Sequence, residues 1–185
     1  ASKGEGLGNQ FLGNIRQVDA ILHVVRCFED ENVIHVEGSV DPVRDMDVIN
    51  TELMLSDMES LNKRLSKLEK VAKSGDKKAK TDLEFSQKIL KALDEGLPAR
   101  TVKPENEDEE KLLKDMHLLT TKAVLYVCNV AEEDLASGND FVQQVQTRAT
   151  EEGNQTIMIC GTLEAEIAQL ELEEQKEYLE SLGVS

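Results

Sequence analysis

Two short stretches of this 185-residue chain carry residue types suited to reading a flat nitrogen heterocycle. The first is Asn129-Val130-Ala131-Glu132, which follows the apolar run from Ala123 to Cys128. An Asn side chain both gives and receives hydrogen bonds, so it can hold a loop and also meet a ring nitrogen or an exocyclic group. The second is Cys160-Gly161-Thr162, which follows the apolar run from Thr156. A glycine in a tight turn lets backbone amides come close to a base edge. Neither stretch decides anything alone. N-x-x-E recurs by chance, and its plainest reading is a turn whose Asn caps and whose Glu faces water. Cys-Gly-Thr read plainly is a capping turn with Thr162 as the N-cap. Two such loops after consecutive strands weigh more than either one.

Positioning these loops requires a sheet. Residues 20–27, 123–128 and 156–160 are short, apolar, β-branched runs of the kind that make strands buried on both faces. A helical pattern from Phe141 to Thr150 separates the last two, so strand, helix and strand point to a parallel α/β sheet. In such sheets ligands bind beyond the carboxyl ends of the strands, where both loops fall. Phe11, Leu12 and Ile15 predict a short helix over 8–17. Between the first two strands lies far more chain than a crossover needs. Met54, Met58, Leu61, Leu65, Leu68 and Ala72 recur at a/d spacing. After the turn Ser74-Gly75-Asp76, Leu83, Ser86, Leu90, Leu93 and Leu97 continue the seam until Gly96 and Pro98 stop it. Residues 45–97 are therefore read as an antiparallel helical hairpin inserted between segments 1–44 and 98–185. An acidic helix is expected over 106–118, and two short amphipathic helices over 162–170 and 171–182.

Composition narrows the class. Hydrophobic residues make up 39% and charged residues 31%, which fits a folded, soluble chain. No apolar run approaches the ~20 residues of a membrane span, and no basic-then-apolar leader opens the sequence. Three cysteines at wide spacing (Cys27, Cys128, Cys160) fit a reducing cytoplasm better than a disulfide scaffold or a zinc site. They read as small buried hydrophobes. His23 reads as a core histidine, and with His35 and His117 it shows no metal-ligand spacing. Glu164 and Glu166 fall on different helix faces and do not suggest acid/base work. Aromatics are only 3%, too few to stack bases along a strand.

The net charge of −16 is unevenly spread. Lys63, Arg64, Lys67, Lys70, Lys73, Lys77, Lys78 and Lys80 face only Glu69 and Asp76, which leaves +6 there and −22 over the remainder. The bland reading is a solvated hairpin. Segregation of this degree makes a polyanion-binding arm an equal reading.

Gly4-Glu5-Gly6-Leu7-Gly8-Asn9-Gln10-Phe11-Leu12, Asp19-Ala20-Ile21, Phe28-Glu29-Asp30 and Ile34-His35-Val36-Glu37-Gly38-Ser39-Val40-Asp41-Pro42 closely resemble the YchF/Obg-like ATPases. Val48 to Leu53, Gly75-Asp76-Lys77 and Asn129-Val130-Ala131-Glu132 extend the resemblance over nearly the whole chain. It implies a P-loop NTPase of the translation-factor class, a cytoplasmic, monomeric, ribosome-associated hydrolase of ATP and possibly GTP that uses Mg²⁺. It also implies that Lys3, Gly4, Glu5, Gly6 and Gly8 belong to a second switch loop. Asn129, Val130 and, less directly, Glu132 would contact the base, with Cys160, Gly161 and Thr162 as the second base-contacting loop. Related GTPases carry N-K-x-D. Val130 for the Lys and Glu132 for the Asp misplace a guanine clamp and imply relaxed specificity or ATP preference.

No G-x-x-x-x-G-K-[ST] occurs in the sequence, and Gly4, Gly6 and Gly8 do not replace it. The expectation is therefore the later part of a nucleotidase domain with its coiled-coil insertion, without the P-loop or the family's TGS domain. It would hold no catalytic residue or metal ligand, and alone it would bind ATP poorly and fold weakly. The competing expectation is a non-catalytic interaction module built on the helical hairpin.

Overall fold

A computed structural model describes residues 7–30, 39–171 and 173–175. By contacts the chain divides into two compact units, residues 1–21 with 46–123, and residues 22–45 with 124–185. The expected switch residues Lys3, Gly4, Glu5 and Gly6, together with His35, lie outside the described residues. So does most of the second C-terminal helix, of which residues 173–175 are helical.

The sheet has three strands, β1 (Ala20–Arg26), β2 (Ala123–Asn129) and β3 (Gln155–Ile159), in the order β1-β2-β3. β2 and β3 run parallel, with Val127 beside Ile157 and Asn129 beside Ile159. They are joined through α5 (Asp140–Glu151), the strand–helix–strand unit expected from the sequence. Asn139 caps α5, and Gly138 makes the preceding turn at φ +71°. A Cβ there would make only ordinary contacts with Met158 Sδ and Val142 Cγ1, both at 3.5 Å, so it is the backbone conformation that favours glycine. α5 packs on β3 and buries Val142, Val145 and Ala149. On the same sheet face the Tyr126 hydroxyl donates to Glu152 Oε2 at 2.8 Å, and the His23 ring lies 5.4 Å from that of Tyr126. Burial lowers the His23 pKa, with Glu152 and Asp45 opposing. His23 is half-buried against the Tyr126 ring.

β1 and β3 are not buried on both faces, which corrects the reading of their apolar runs, whereas β2 is, with Tyr126, Val127 and Cys128 buried in succession. Burial along β1 alternates, with Leu22 68% and Val24 59% exposed, and Ile157 of β3 is also exposed. One face carries α5; among the described residues the other is only partly covered. Apolar composition reported the residue types, and the neighbours decided which face they fill.

The other unit is helical. α1 (Leu7–Arg16) matches the helix expected over 8–17 and takes in Gly8, which the resemblance had placed in a switch loop. α2 (Pro42–Ala72) begins with the Asp41 carboxylate accepting from Arg44 N–H at 3.0 Å and with Pro42 at the first helical position. It turns at Gly75 (φ +94°) into α3 (Lys77–Asp94), capped by Asp76 accepting from Ala79 N–H. The end of α3 is a Schellman arrangement. Gly96 (φ +78°) donates to Leu93 O, and Leu97 N–H reaches back to Ala92 O at 2.8 Å. The helix therefore stops before Leu97, which is 47% exposed and not part of the seam as expected. Phe85 and Ile89, which the a/d count missed, are fully buried instead, with Leu61, Leu93, Ala99, Leu112, Met116 and Leu118. α4 (Glu107–Asp115) completes this core; at its start Asn106 accepts from Glu109 N–H as the N-cap, and the Glu109 carboxylate accepts from Glu105 N–H just before it.

Beneath the hairpin lies a carboxylate no periodicity could flag. Asp57 of α2 is fully buried, and its oxygens accept from Leu119 N–H at 2.7 Å, Thr120 N–H at 2.8 Å and the Thr120 hydroxyl at 2.7 Å. That hydroxyl in turn accepts from Ala99 N–H at 2.9 Å. Burial pushes the Asp57 carboxyl up, while these donors and the Arg16 guanidinium pull it down. Arg16 joins α1 to the same region. It donates to Ser56 Oγ, Ser60 Oγ and the carbonyl of His117, each at 3.1 Å. Asp57→Ala strands three buried donors at once and should cost on the order of 3 kcal/mol. Urea denaturation checks it. A loss below about 1 kcal/mol, the scale of one ordinary hydrogen bond, would show that water replaces the carboxylate at little expense.

Candidate functional site

The two strand-end loops meet. Asn129 is the last residue of β2, and its Oδ1 accepts from Gly161 N–H at 2.9 Å, the first residue of α6 (Gly161–Ile167). The backbone ladder runs on one step further, with Val130 N–H donating to Ile159 O at 2.9 Å. A parallel register that sets Asn129 beside Ile159 makes this contact unavoidable. A Cβ on Gly161 would sit 3.2 Å from Asn129 Oδ1, so glycine is what lets the amide come this close. The cap of α6 is Cys160, with no side-chain hydrogen bond, and Thr162 lies inside the helix. The N-cap reading of Thr162 is thereby corrected: a capping hydroxyl must precede the first helical residue.

The remaining members of the two loops divide by exposure. Glu132 and Thr162 are exposed and Gly161 and Asn129 half-buried, whereas Val130 (2% exposed) and Cys160 are packed inward. Asn129, Glu132, Gly161 and Thr162 are thus at least partly open to solvent, and Val130 and Cys160 are not. Glu132 opens a single 3₁₀ turn, Glu132–Asp134, held by Asp134 N–H to Ala131 O at 3.1 Å. With the Asn129 Oδ1 occupied by Gly161, its amide nitrogen is the atom left to donate outward.

The cysteines at the strand ends are buried free thiols. The hydrogen bond to Cys128 and burial push the Cys27 thiol up. Among the described residues no three His, Cys, Asp or Glu side chains cluster to hold a metal ion. No described helix is long and apolar enough to cross a membrane.

The basic residues belong to the helical unit. Lys63, Arg64, Lys67 and Lys70 lie on the last turns of α2, Lys73 in the turn, and Lys77, Lys78 and Lys80 on the first turn of α3. All but Arg64 are exposed, and Lys63 pairs with Glu59 at 2.6 Å. A shallow cleft of about 420 Å³ at the hairpin tip is lined by Glu69, Ala72, Lys73, Gly75, Lys80 and Leu83.

Asn129→Ala should release the Gly161 amide, speeding its hydrogen exchange about tenfold for a hydrogen bond of ~1.4 kcal/mol. Exchange followed by NMR measures it. An unchanged rate would mean that the ladder, not the side chain, holds the loops together.

No protein-family model matches the chain. Over its full length it is 49% identical to the ribosome-binding ATPase YchF of Bacillus subtilis (strain 168) and 44% identical to that of Escherichia coli O157:H7, covering 50% of each. The solved structure of the Schizosaccharomyces pombe YchF GTPase superposes on the whole chain with a TM-score of 0.84 at 33% identity, over 51% of its length. The chain spans about half the length of the curated relatives it matches. Matched from end to end in both sequence and fold, it is a YchF-like segment equivalent to about half of such a protein.

Proposed function

We propose that the protein to which this segment corresponds binds and hydrolyses nucleoside triphosphates, ATP first, in association with the ribosome. In this reading the segment supplies the base-reading rim and a basic arm, while Mg²⁺ and the phosphates are held by residues other than those described here. The observation that carries it is the 2.9 Å bond between Asn129 Oδ1 and Gly161 N–H. That bond draws two strand-end loops into one rim at the place where parallel sheets bind ligands. The names of the relatives, ribosome-binding ATPase and GTPase, agree with it.

The residues of the rim bear on which base it takes. A guanine clamp needs a carboxylate set to accept from the ring N1–H and the exocyclic amine. Glu132 carries one more methylene than the Asp of the GTPase motif and is exposed on a 3₁₀ turn. Adenine offers ring nitrogens that accept, and Asn129 Nδ2 can donate to one of them without such a clamp. The basic arm from Lys63 to Lys80 is assigned to the ribosome because its charge is opposite to that of the remaining chain and seven of its eight cations reach solvent.

Two measurements on the full-length protein test this. Titration should give a lower Kd for ATP than for GTP, and Asn129→Ala should weaken ATP about tenfold, the scale of one or two lost hydrogen bonds. GTP preferred over ATP would overturn the account of the rim. Changing Lys70, Lys73, Lys77 and Lys78 to Glu should abolish ribosome co-sedimentation at ~0.15 M salt and leave ATP affinity within twofold. Undiminished sedimentation across a salt titration would remove the arm from the ribosome contact.

A further inference from the structure

We propose that Asn139 is a positioning residue for the base-reading loop, acting through the backbone of Cys27. The proposal rests on the reading of Asn129–Glu132 as that loop and adds what holds it in place.

The loop leaves the sheet at Asn129 and re-enters regular structure at α5. At its start the Cys27 N–H donates to Asn129 O at 2.8 Å. At its end Asp134 is held from two sides. Its carbonyl accepts from Gly138 N–H at 2.7 Å, and its Oδ2 accepts from Asn139 Nδ2 at 2.7 Å. The second hydrogen of that amide goes to Cys27 O at 2.8 Å. One residue just past β1 therefore reaches both sides of the Asn129–Glu132 segment, with its N–H on Asn129 and its C=O, through Asn139, on Asp134. The Asn139 Oδ1 meanwhile accepts from Val142 N–H at 3.1 Å as the α5 cap.

Residue chemistry separates this from an ordinary cap. Ser, Thr and Asp cap helices about as well as Asn. Among these only Asn can accept at the helix terminus and give two hydrogens elsewhere. Asp would set a carboxylate against a carbonyl and a second carboxylate, and Ser would cap without reaching either. Gln would place its amide one carbon too far out for the capping turn. All three contacts converge only on Asn. The loop carries few other constraints, since Glu132 and Glu133 are exposed and its single turn closes on Asp134 and Leu135.

The test uses full-length protein and three variants. Asn139→Ser keeps the cap and removes both loop contacts. Asp134→Ala removes one of those contacts from the other side. Asn129→Ala removes the expected base contact itself. Asn139→Ser should raise KM and Kd for ATP about tenfold. It should leave kcat within twofold, the melting temperature nearly unchanged, and the affinity for inorganic triphosphate, which has no base, unaltered. Adding Asp134→Ala to Asn139→Ser should weaken ATP little further, because both act on one contact. If Asn129→Ala weakens ATP and Asn139→Ser does not, the positioning role is wrong and the base-reading loop stands. If Asn139→Ser weakens ATP and triphosphate alike, Asn139 only supports the fold and the proposal fails. If Asn129→Ala leaves ATP binding unchanged, the underlying assignment of the loop fails with it.

Discussion

A parallel sheet runs out of ladder partners at its carboxyl edge, and the peptide groups there must be satisfied by something else. Here two asparagine side chains do it. Asn129 turns its Oδ1 to the Gly161 amide, and Asn139 turns its Nδ2 to the Cys27 carbonyl. Each is bonded across the edge, the first from β2 to the α6 start and the second from the α5 start to the β1 exit. The order of the rim follows from this need. Loops that would otherwise close independently are tied laterally, and the atoms not consumed in tying them are the ones left to face a ligand. The same edge is therefore the least saturated part of the sheet and the part most firmly specified by single side chains.

The helical unit solves a related problem with a charge. The 3₁₀ turn Leu119–Thr121 presents two amide hydrogens toward Asp57 of α2. Asp57 accepts both of them and the Thr120 hydroxyl, and through that hydroxyl the Ala99 amide is also fixed. A buried carboxylate is costly alone, but with both oxygens filled it becomes expensive to remove. Arg16 draws α1 onto the same stretch by way of Ser56, Ser60 and the carbonyl of His117. His117 is the one non-glycine at positive φ among the described residues, at +48°. Its carbonyl is thus held on Arg16 by a backbone conformation that most side chains avoid.

Much of this was legible in the sequence, and the failures share a cause. The strands, α5, the hairpin and its turn follow from periodicity, Gly75, Asp76 and Gly96, because those signals are local. The burial of β1 was misjudged because Leu22 and Val24 report their own type and not what packs against them. Phe85 and Ile89 escaped the seam because a two-residue pattern samples a narrow stripe, whereas a helix lying over other elements buries a wider arc. Asp57 was invisible for the opposite reason: an acidic residue on a helix is ordinarily solvated, and only donors 62 and 63 residues away make it structural. At the site the N-x-x-E pattern marked Asn129 and Glu132 but not Asn139, whose partners Cys27 and Val142 lie 112 and 3 residues away. Its signal in the sequence is only that of an N-cap. Val130 was read as a contact surface, and its burial follows from the ladder continuing one residue beyond Asn129.

The charge pattern requires a separate argument, because an acidic chain would ordinarily be driven away from a polyanion. Screening sets the scale. At physiological salt, exposed charges more than about 8 Å apart are largely independent of one another. Along α2 alone, Asp45 and Lys63 are eighteen residues apart, or about 27 Å at 1.5 Å per residue. The acidic start of that helix therefore weakens the potential at its far end very little. Of the two carboxylates within the basic stretch, Asp76 is committed to capping α3 through Ala79. Net charge accordingly governs long-range repulsion at low salt, and the local array governs contact. Polyanion binding by such an arm has to depend on salt through the few cations it engages rather than through the −16 of the whole chain.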